Sequence, residues 1–391
     1  MTPRVLIAGG GVAGLETLLA LQALAQDRVR IELLAPERHF TYRPLAVTEP
    51  FGGARVQRFP LEAIGADRGV EIHRDALARV LPDDRVVETQ GGRRLAYDTL
   101  VLALGARPVE ALSGALTFRG PQDTARMQEI VARLQEGTIE RLAFVVPSGT
   151  TWALPLYELA LQTAAVLGAV GITRKLSLVT PERSPLAAFG REAGSAVKSL
   201  LAEAGVVLRT ESIAEEVADG RLWMGLEGSF PVDAAVALPR LVGPRPRGVP
   251  CDPLGFVAVD ELTRVLGLEG VHAVGDVAAH GAKQGGLSAQ QADVAAAVIA
   301  AAAGAPVTPS PYRPVLRGLL LAGTRTRYLR HEPGGESEVS RELLWWPPTK
   351  IAGRYLSPYL AAHLDIAPAP EASGAIPVRS AAGSGVTAPL R

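Results

Sequence analysis

The sequence predicts an α/β fold: two units of alternating strand and helix, the first of them discontinuous, followed by a C-terminal αβ segment. Three observations carry this reading. The aliphatic run Arg4 to Ala8 enters a glycine-rich turn, and a helical pattern and another strand follow. A second alternation of strand and helix occupies the middle of the chain. Far downstream, the buried strand pattern Val271 to Val274 closes on Gly275-Asp276 and returns the chain to the first unit. The expected division is 1–119 and 251–310 for the first unit, 120–250 for the second, 311–365 for a C-terminal region and 366–391 for a disordered tail of Ala, Pro, Gly and Ser.

Composition bounds the rest. At 391 residues the chain exceeds the size at which one hydrophobic core keeps growing, so two globular units are natural. Its 48% hydrophobic and 20% charged residues are those of a folded α/β protein, not a disordered one. Forty basic residues balance forty acidic ones, which leaves no global field for a phosphate backbone and argues against a nucleic-acid partner. Cys251 is alone, so no internal disulfide or dithiol relay can form, and a reducing, cytoplasmic setting is expected. The apolar opening from Val5 to Leu24 is punctuated by glycines and interrupted by Glu16, which reads as strand, turn and helix, not as a signal segment. No uninterrupted apolar run of about 20 residues occurs, so no spanning helix is expected.

Along the chain, Gly9-Gly10-Gly11-Val12-Ala13-Gly14 opens the helical pattern Leu15, Leu18, Leu19, Leu21, Leu24, and Val29 to Leu34 follows as a strand. This context turns a weak glycine pattern into a Rossmann-like dinucleotide-binding site. Gly9 permits the turn, Gly11 lets backbone N–H groups approach a pyrophosphate, and Gly14 lets the helix pack closely on the strand. The helix N-terminus adds partial positive charge. Ala35 holds the usual place of the ribose-binding acid, so Glu37 either reaches back to a ribose or is a solvated loop carboxylate. Val70 to Asp75 and Asp83 to Glu88 read as strands, and Tyr97 to Leu104 as a buried strand ending in a turn at Gly105. Downstream, Asp276 directly follows a buried strand, where a carboxylate needs a partner. Lys283-Gln284-Gly285-Gly286 then precedes a long helical pattern from Leu287.

The glycine fingerprint, the segment Tyr97 to Pro108 and Val274-Gly275-Asp276 resemble, in order and separation, the two-dinucleotide flavoproteins of the pyridine nucleotide-disulfide oxidoreductase superfamily. His39 to Leu45 and the C-terminal region resemble its type II NADH dehydrogenase and sulfide:quinone oxidoreductase branch. The resemblance covers roughly residues 1 to 365, loosely in the middle. It implies an FAD cofactor, with Asp276 on the ribityl chain, Arg43 and Pro44 near the isoalloxazine, and the Ala76 backbone near the adenine. It also implies that the helix after Gly286 aims its N-terminus at the flavin pyrimidine edge. A helix N-terminus there would stabilise negative charge that develops on reduction; Lys283 either shares that task or is a solvated loop lysine. The glutamine pattern that type II NADH dehydrogenases carry after the Gly-Asp segment is incomplete, because placing its second glutamine on Gln290 puts Gly286 at the first. No metal is expected.

In the second unit, also Rossmann-like, the turn reads Val146-Pro147-Ser148-Gly149-Thr150-Thr151-Trp152 and runs on through Pro155 to Tyr157-Glu158. The glycines that would admit a pyrophosphate are mostly missing, and Trp152 and the prolines obstruct its approach, so NAD(P)H binding stays open. Glu158 matches the family position that the resemblance associates with a proton path beside the flavin. In an apolar cleft it would gain proton affinity and suit a relay; otherwise it is an exposed helix glutamate. Cys251 sits in a Pro-rich connector, so sulfide oxidation by the family's cysteine mechanism is not expected. In the C-terminal region, Leu343 to Pro348 carries two tryptophans, and Ile351, Tyr355, Leu356, Tyr359 and Leu360 share a face flanked by Lys350 and Arg354. That face suits either peripheral contact with the inner face of a membrane, where related enzymes meet quinone, or a lid over the flavin or a homodimer contact.

The expected function is an FAD-dependent oxidoreductase passing electrons from a reduced donor, NAD(P)H or another small molecule, to a quinone-like acceptor. The alternative is a flavin-binding protein whose redox state alters a partner contact.

Overall fold

Short aliphatic runs buried on both faces pair in parallel, with helices covering the sheets. In the computed structural model, which describes residues 2–363 except 324 and 336, two such sheets form, each of five parallel strands. The tail expected over 366–391 lies outside the described residues. Arg4–Ala8 is central in the first sheet, with Arg30–Leu34 and then Glu71–His73 on one side. On its other side lie Thr99–Leu102 and then Val271–Ala273. Strand order therefore reverses beside Arg4–Ala8, at the switch point where open α/β sheets bind ligands. The second sheet runs Leu116–Thr117, Ala234–Ala237, Arg141–Val145, Lys175–Val179, Val206–Arg209. Between the sheets the chain crosses twice, as the antiparallel pair Arg107–Val109 and Arg240–Val242.

The helices Val12–Ala25 and Gly285–Ala302 pack on one another. Both are apolar nearly all round, the composition of a helix enclosed by protein. The second begins two residues before Leu287 because Gln284 caps it, its side-chain oxygen accepting the Leu287 N–H at 2.8 Å.

The C-terminal region forms the antiparallel sheet Leu316–Leu320, Arg327–His331, Ser337–Ser340 and the short helix Leu356–Ala362. Its apolar face does not meet the expectation of a membrane-facing surface. Ile351, Leu356, Tyr359 and Leu360 are buried in the core of the first unit, beside Leu15 and Leu18, and Tyr355 packs against them. Trp345 is 1% exposed and meets Tyr328 edge to face. No helix among the described residues is long and apolar enough to cross a membrane.

Candidate functional site

The glycine turn is built for close approach. Gly9 has φ +122°, and a Cβ there would lie 2.2 Å from the Ala103 carbonyl oxygen. A Cβ on Gly14 would lie 1.8 Å from the Gly9 oxygen, so this glycine is what lets the helix meet the strand. Gly11 differs. It caps the helix Val12–Ala25 with no side-chain partner, and a Cβ on it would meet open space. The first N–H groups of that helix lack intrahelical acceptors, and the residues present fit a dinucleotide pyrophosphate. A Cβ on Gly275 would lie 2.9 Å from the Ala13 Cβ, so the fingerprint and the distant Gly-Asp segment touch.

Beside this turn a cavity of about 330 Å³ is lined by Gly9, Pro36, Glu37, Ala76, Arg245 and Arg247, among others. Glu37 is exposed on its rim. The Ala76 N–H is already given to the Asp75 carboxylate at 2.8 Å, and its carbonyl accepts the Gln90 N–H. Arg245 and Arg247 come from a Pro-Arg-Pro-Arg run in the connector after the second sheet, which sequence reasoning passed over; alternating proline and arginine was the available signal. Gly105 follows the Thr99–Leu102 strand with φ +68°, and its neighbour Leu104 lines the cavity.

A second cavity, about 260 Å³, brings together Arg43, Pro44, Glu158 and Lys283, with Trp152, Gly285, Arg317 and Lys350 among its other walls. Gly285, one residue before the expected Gly286, is the helix-start glycine that reaches it. Glu158 is fully buried. Its carboxylate receives the Lys350 Nζ at 2.6 and 2.5 Å and the Leu321 N–H at 2.8 Å. Burial pushes its pKa up, and the Lys350 charge opposes the rise. Lys283 is buried as well, donates to the Ala278 carbonyl and sits 4.2 Å over the Phe256 ring. Desolvation pulls its pKa down, while the Asp276 charge resists. Asp276 has its pKa raised by burial, against the charges of Lys283 and Arg43 and a hydrogen bond from Ser288.

Asp276, Gly286 and Gln290 contribute to neither lining. Gln290 instead braces the chain entering the C-terminal sheet, giving Nε2 to the Val315 carbonyl and accepting the Val315 N–H, both at 2.9 Å. Its neighbour Gln291 does the work nearer the site, accepting the Gly275 N–H at 2.7 Å and so fixing the Gly-Asp turn. Lys350 was read only as a flanking cation, because its partner lies 192 residues away.

In the second unit, Glu182 is engaged by its own neighbours. Glu182 follows the strand Lys175–Val179, where such folds place a ribose-binding acid. Its carboxylate is taken by Tyr157 Oη at 2.7 Å, Thr180 Oγ1 at 2.9 Å and the Ala187 N–H at 3.2 Å. Trp152, at the end of the turn Val146 to Trp152, packs against Phe189 with ring centroids 5.6 Å apart. Away from both cavities, Glu32, Glu71 and His73 cluster at the sheet edge, where Arg30 bridges the two glutamates.

Residues 3–300 match the family described as "Pyridine nucleotide-disulphide oxidoreductase". The ferredoxin reductase component of chlorobenzene dioxygenase from a Cupriavidus species is 30% identical over 79% of this chain and 77% of its own. "Alternative NAD(P)H-ubiquinone oxidoreductase C1, chloroplastic/mitochondrial" of Arabidopsis thaliana is 25% identical over 70% of this chain, an alignment that takes in 61% of the plant protein. The crystal structure of sulfide:quinone oxidoreductase from Aquifex aeolicus superposes with TM-score 0.80 over 94% of this chain and 93% of that one, at 19% identity.

Proposed function

Because the chain belongs to the pyridine nucleotide-disulphide oxidoreductase family and is an oxidoreductase, we propose that it binds FAD across the two cavities and passes electrons from a reduced small-molecule donor to a quinone-like acceptor. The observation that carries this reading is the meeting of Arg43, Glu158 and Lys283, drawn from three separate segments, in one cavity. The Arabidopsis and Aquifex relatives are both named for quinone reactions, which supports the acceptor class. In this assignment 1–119 and 251–310 form the cofactor unit.

When bound, FAD supplies a ring that takes two electrons from a donor and returns them to an acceptor. Gly9, Gly11 and the Val12–Ala25 helix N-terminus would hold its pyrophosphate, and Glu37 and Ala76 would border its adenosine end. Asp276, set behind the linings, would accept from a ribityl hydroxyl. Lys283 and the N-terminus of Gly285–Ala302 would hold positive charge beside that ring. Glu158, kept from water and steadied by Lys350, moves a proton between the cavity and the substrate.

The donor has two readings. A nicotinamide nucleotide would use the second fold, and the occupied Glu182 and the Trp152 wall favour a different small donor bound in the cavity itself. Absorbance spectra of the purified protein under anaerobic conditions, before and after NADH and then NADPH, test both levels. We expect an oxidised flavin spectrum that neither nucleotide bleaches. Bleaching within seconds would make the nucleotide the donor, and a colourless protein that takes up no added FAD would overturn the flavin assignment.

A further inference from the structure

Residues 341–355 belong to no helix or strand, so the main chain that presents Lys350 depends on side chains for its hydrogen bonds. Several partners come from the C-terminal region itself. The Thr349 carbonyl accepts from Trp345 Nε1 at 2.9 Å, and the Ile351 carbonyl accepts from Thr349 Oγ1 at 2.7 Å and from Ser357 Oγ. Tyr42 is different. It is buried at the end of the strand His39–Tyr42, which pairs with Gln57–Pro60, and its Oη accepts the Ile351 N–H at 3.0 Å. Burial pushes the Tyr42 pKa up to about 12, against the Ile351 N–H, the Thr349 hydroxyl and the Lys350 N–H, so the phenol stays neutral and serves as a fixed acceptor. The next two residues, Arg43 and Pro44, are cavity wall, as are Lys350 and Ile351. One hydroxyl therefore ties two walls of the cavity together.

We propose that Tyr42 is a positioning residue: its hydroxyl holds the Lys350–Ile351 peptide to a strand of the first unit and so keeps Lys350 Nζ on the Glu158 carboxylate. The proposal rests on the flavin oxidoreductase reading, in which Glu158 moves a proton, and names what regulates that proton. Lysine carries its charge on a flexible four-carbon stem, so where the ammonium sits depends on where its main chain is fixed. Lys350 Nζ meets the two Glu158 oxygens at 2.6 and 2.5 Å. Burial raises the proton affinity of Glu158 and the Lys350 charge opposes the rise, so an ammonium that drifts away lets the carboxyl keep its proton to higher pH. The other cations on the cavity wall face acids of their own: Asp123 beside Arg119, Asp276 acting on Arg43, Asp276 and Asp252 on Lys283, and Glu332 on Arg317, where Arg330 adds a like charge. Lys350 is the cation in contact with Glu158.

The test compares the full-length, flavin-loaded protein with Tyr42→Phe, which removes one oxygen and keeps the ring. Flavin reduced with stoichiometric dithionite is reoxidised by a water-soluble benzoquinone and followed by stopped-flow absorbance across the pH range in which the protein stays folded. In parallel, infrared difference titration reads protonation of the Glu158 carboxyl directly, its band assigned by its loss in Glu158→Gln. We expect Tyr42→Phe to retain FAD and to move the midpoint of both profiles up by about one pH unit. Tyr359→Phe, which removes from the same core a hydroxyl that donates to Asp67 at 3.0 Å, should leave both midpoints in place. If Tyr42→Phe does not fold, Thr349→Val, which loses the hydroxyl bonded to the Ile351 carbonyl, should move them in the same direction. Unmoved or lowered midpoints, or an equal shift in Tyr359→Phe, would overturn the proposal. The infrared arm needs no acceptor, so a carboxyl midpoint that shifts in a protein benzoquinone cannot reoxidise upholds the positioning role and marks failure of the acceptor reading, whereas a reoxidised flavin beside an unmoved carboxyl midpoint marks failure of this one.

Discussion

Glu158 and Lys350 are two buried charges that exist for one another, and removing either leaves the other stranded. Lys350→Met should cost roughly 3–5 kcal/mol in urea unfolding, and adding Glu158→Gln to it should recover most of that loss. Glu158→Gln alone should leave FAD bound and slow reoxidation by acceptor roughly a hundredfold, followed by stopped-flow absorbance; unchanged reoxidation would remove Glu158 from the proton path. The glycines separate in the same way. Gly11→Val adds a side chain where space is open, so a folded, flavin-free protein is expected from circular dichroism and absorbance. Gly14→Ala places a Cβ against the Gly9 carbonyl, and lost stability is expected there first. Glu158 and these glycines were legible because each sits in a local pattern. Lys350 was not, since a buried lysine and a surface lysine look alike until the partner is in place.

At the scale of elements, the helices Val12–Ala25 and Gly285–Ala302 enclose Glu16 and Asp293, both buried. Glu16 accepts the N–H groups of Tyr355 and Leu356 at 2.8 and 2.7 Å, so the helix pair anchors the C-terminal segment that carries Lys350. Burial raises the Glu16 pKa to about 7 despite those two bonds, and Asp293 is raised well above its usual value by burial and by Glu16. A carboxyl with a raised folded pKa adds stability that is complete below its ordinary value of 4.5 and is lost as pH climbs through about 7. Thermal melts should therefore fall across that window by the equivalent of about 3 kcal/mol, and more shallowly in Glu16→Gln; parallel profiles would refute the role. Both helices were readable from their apolar patterns. Glu16 looked like an interruption of one of them, because the groups it serves arrive some 340 residues later.

Across the whole molecule, the alternation of strands and helices announced two parallel sheets, and the distant Gly-Asp segment announced that the first sheet is discontinuous. What stayed hidden was how the second fold is used. The missing glycines raised the question, but Tyr157 and Thr180 taking up Glu182 are contacts between side chains with no sequence period. The aromatic C-terminal face misled for a related reason: an amphipathic pattern states that a face will be buried, not against what. The expected indifference of the flavin to NADH and NADPH belongs to this scale, since it tests whether a whole nucleotide fold has been kept as scaffold.

The C-terminal segment also sets an order of events during synthesis. A chain emerges N-terminus first at about 5–20 residues per second, so Glu158 waits roughly 10–40 s for a lysine 192 residues behind it. At the start of that interval the nascent protein has its fingerprint turn but lacks the edge strand Val271–Ala273 and the helix Gly285–Ala302, and the hydrogen bond from the Ile351 N–H to Tyr42 Oη follows only at its end. The fingerprint turn is thus translated first and closed in last, and a ribosome that stalls before Lys350 holds a chain with every fingerprint glycine and Glu158 still without its lysine.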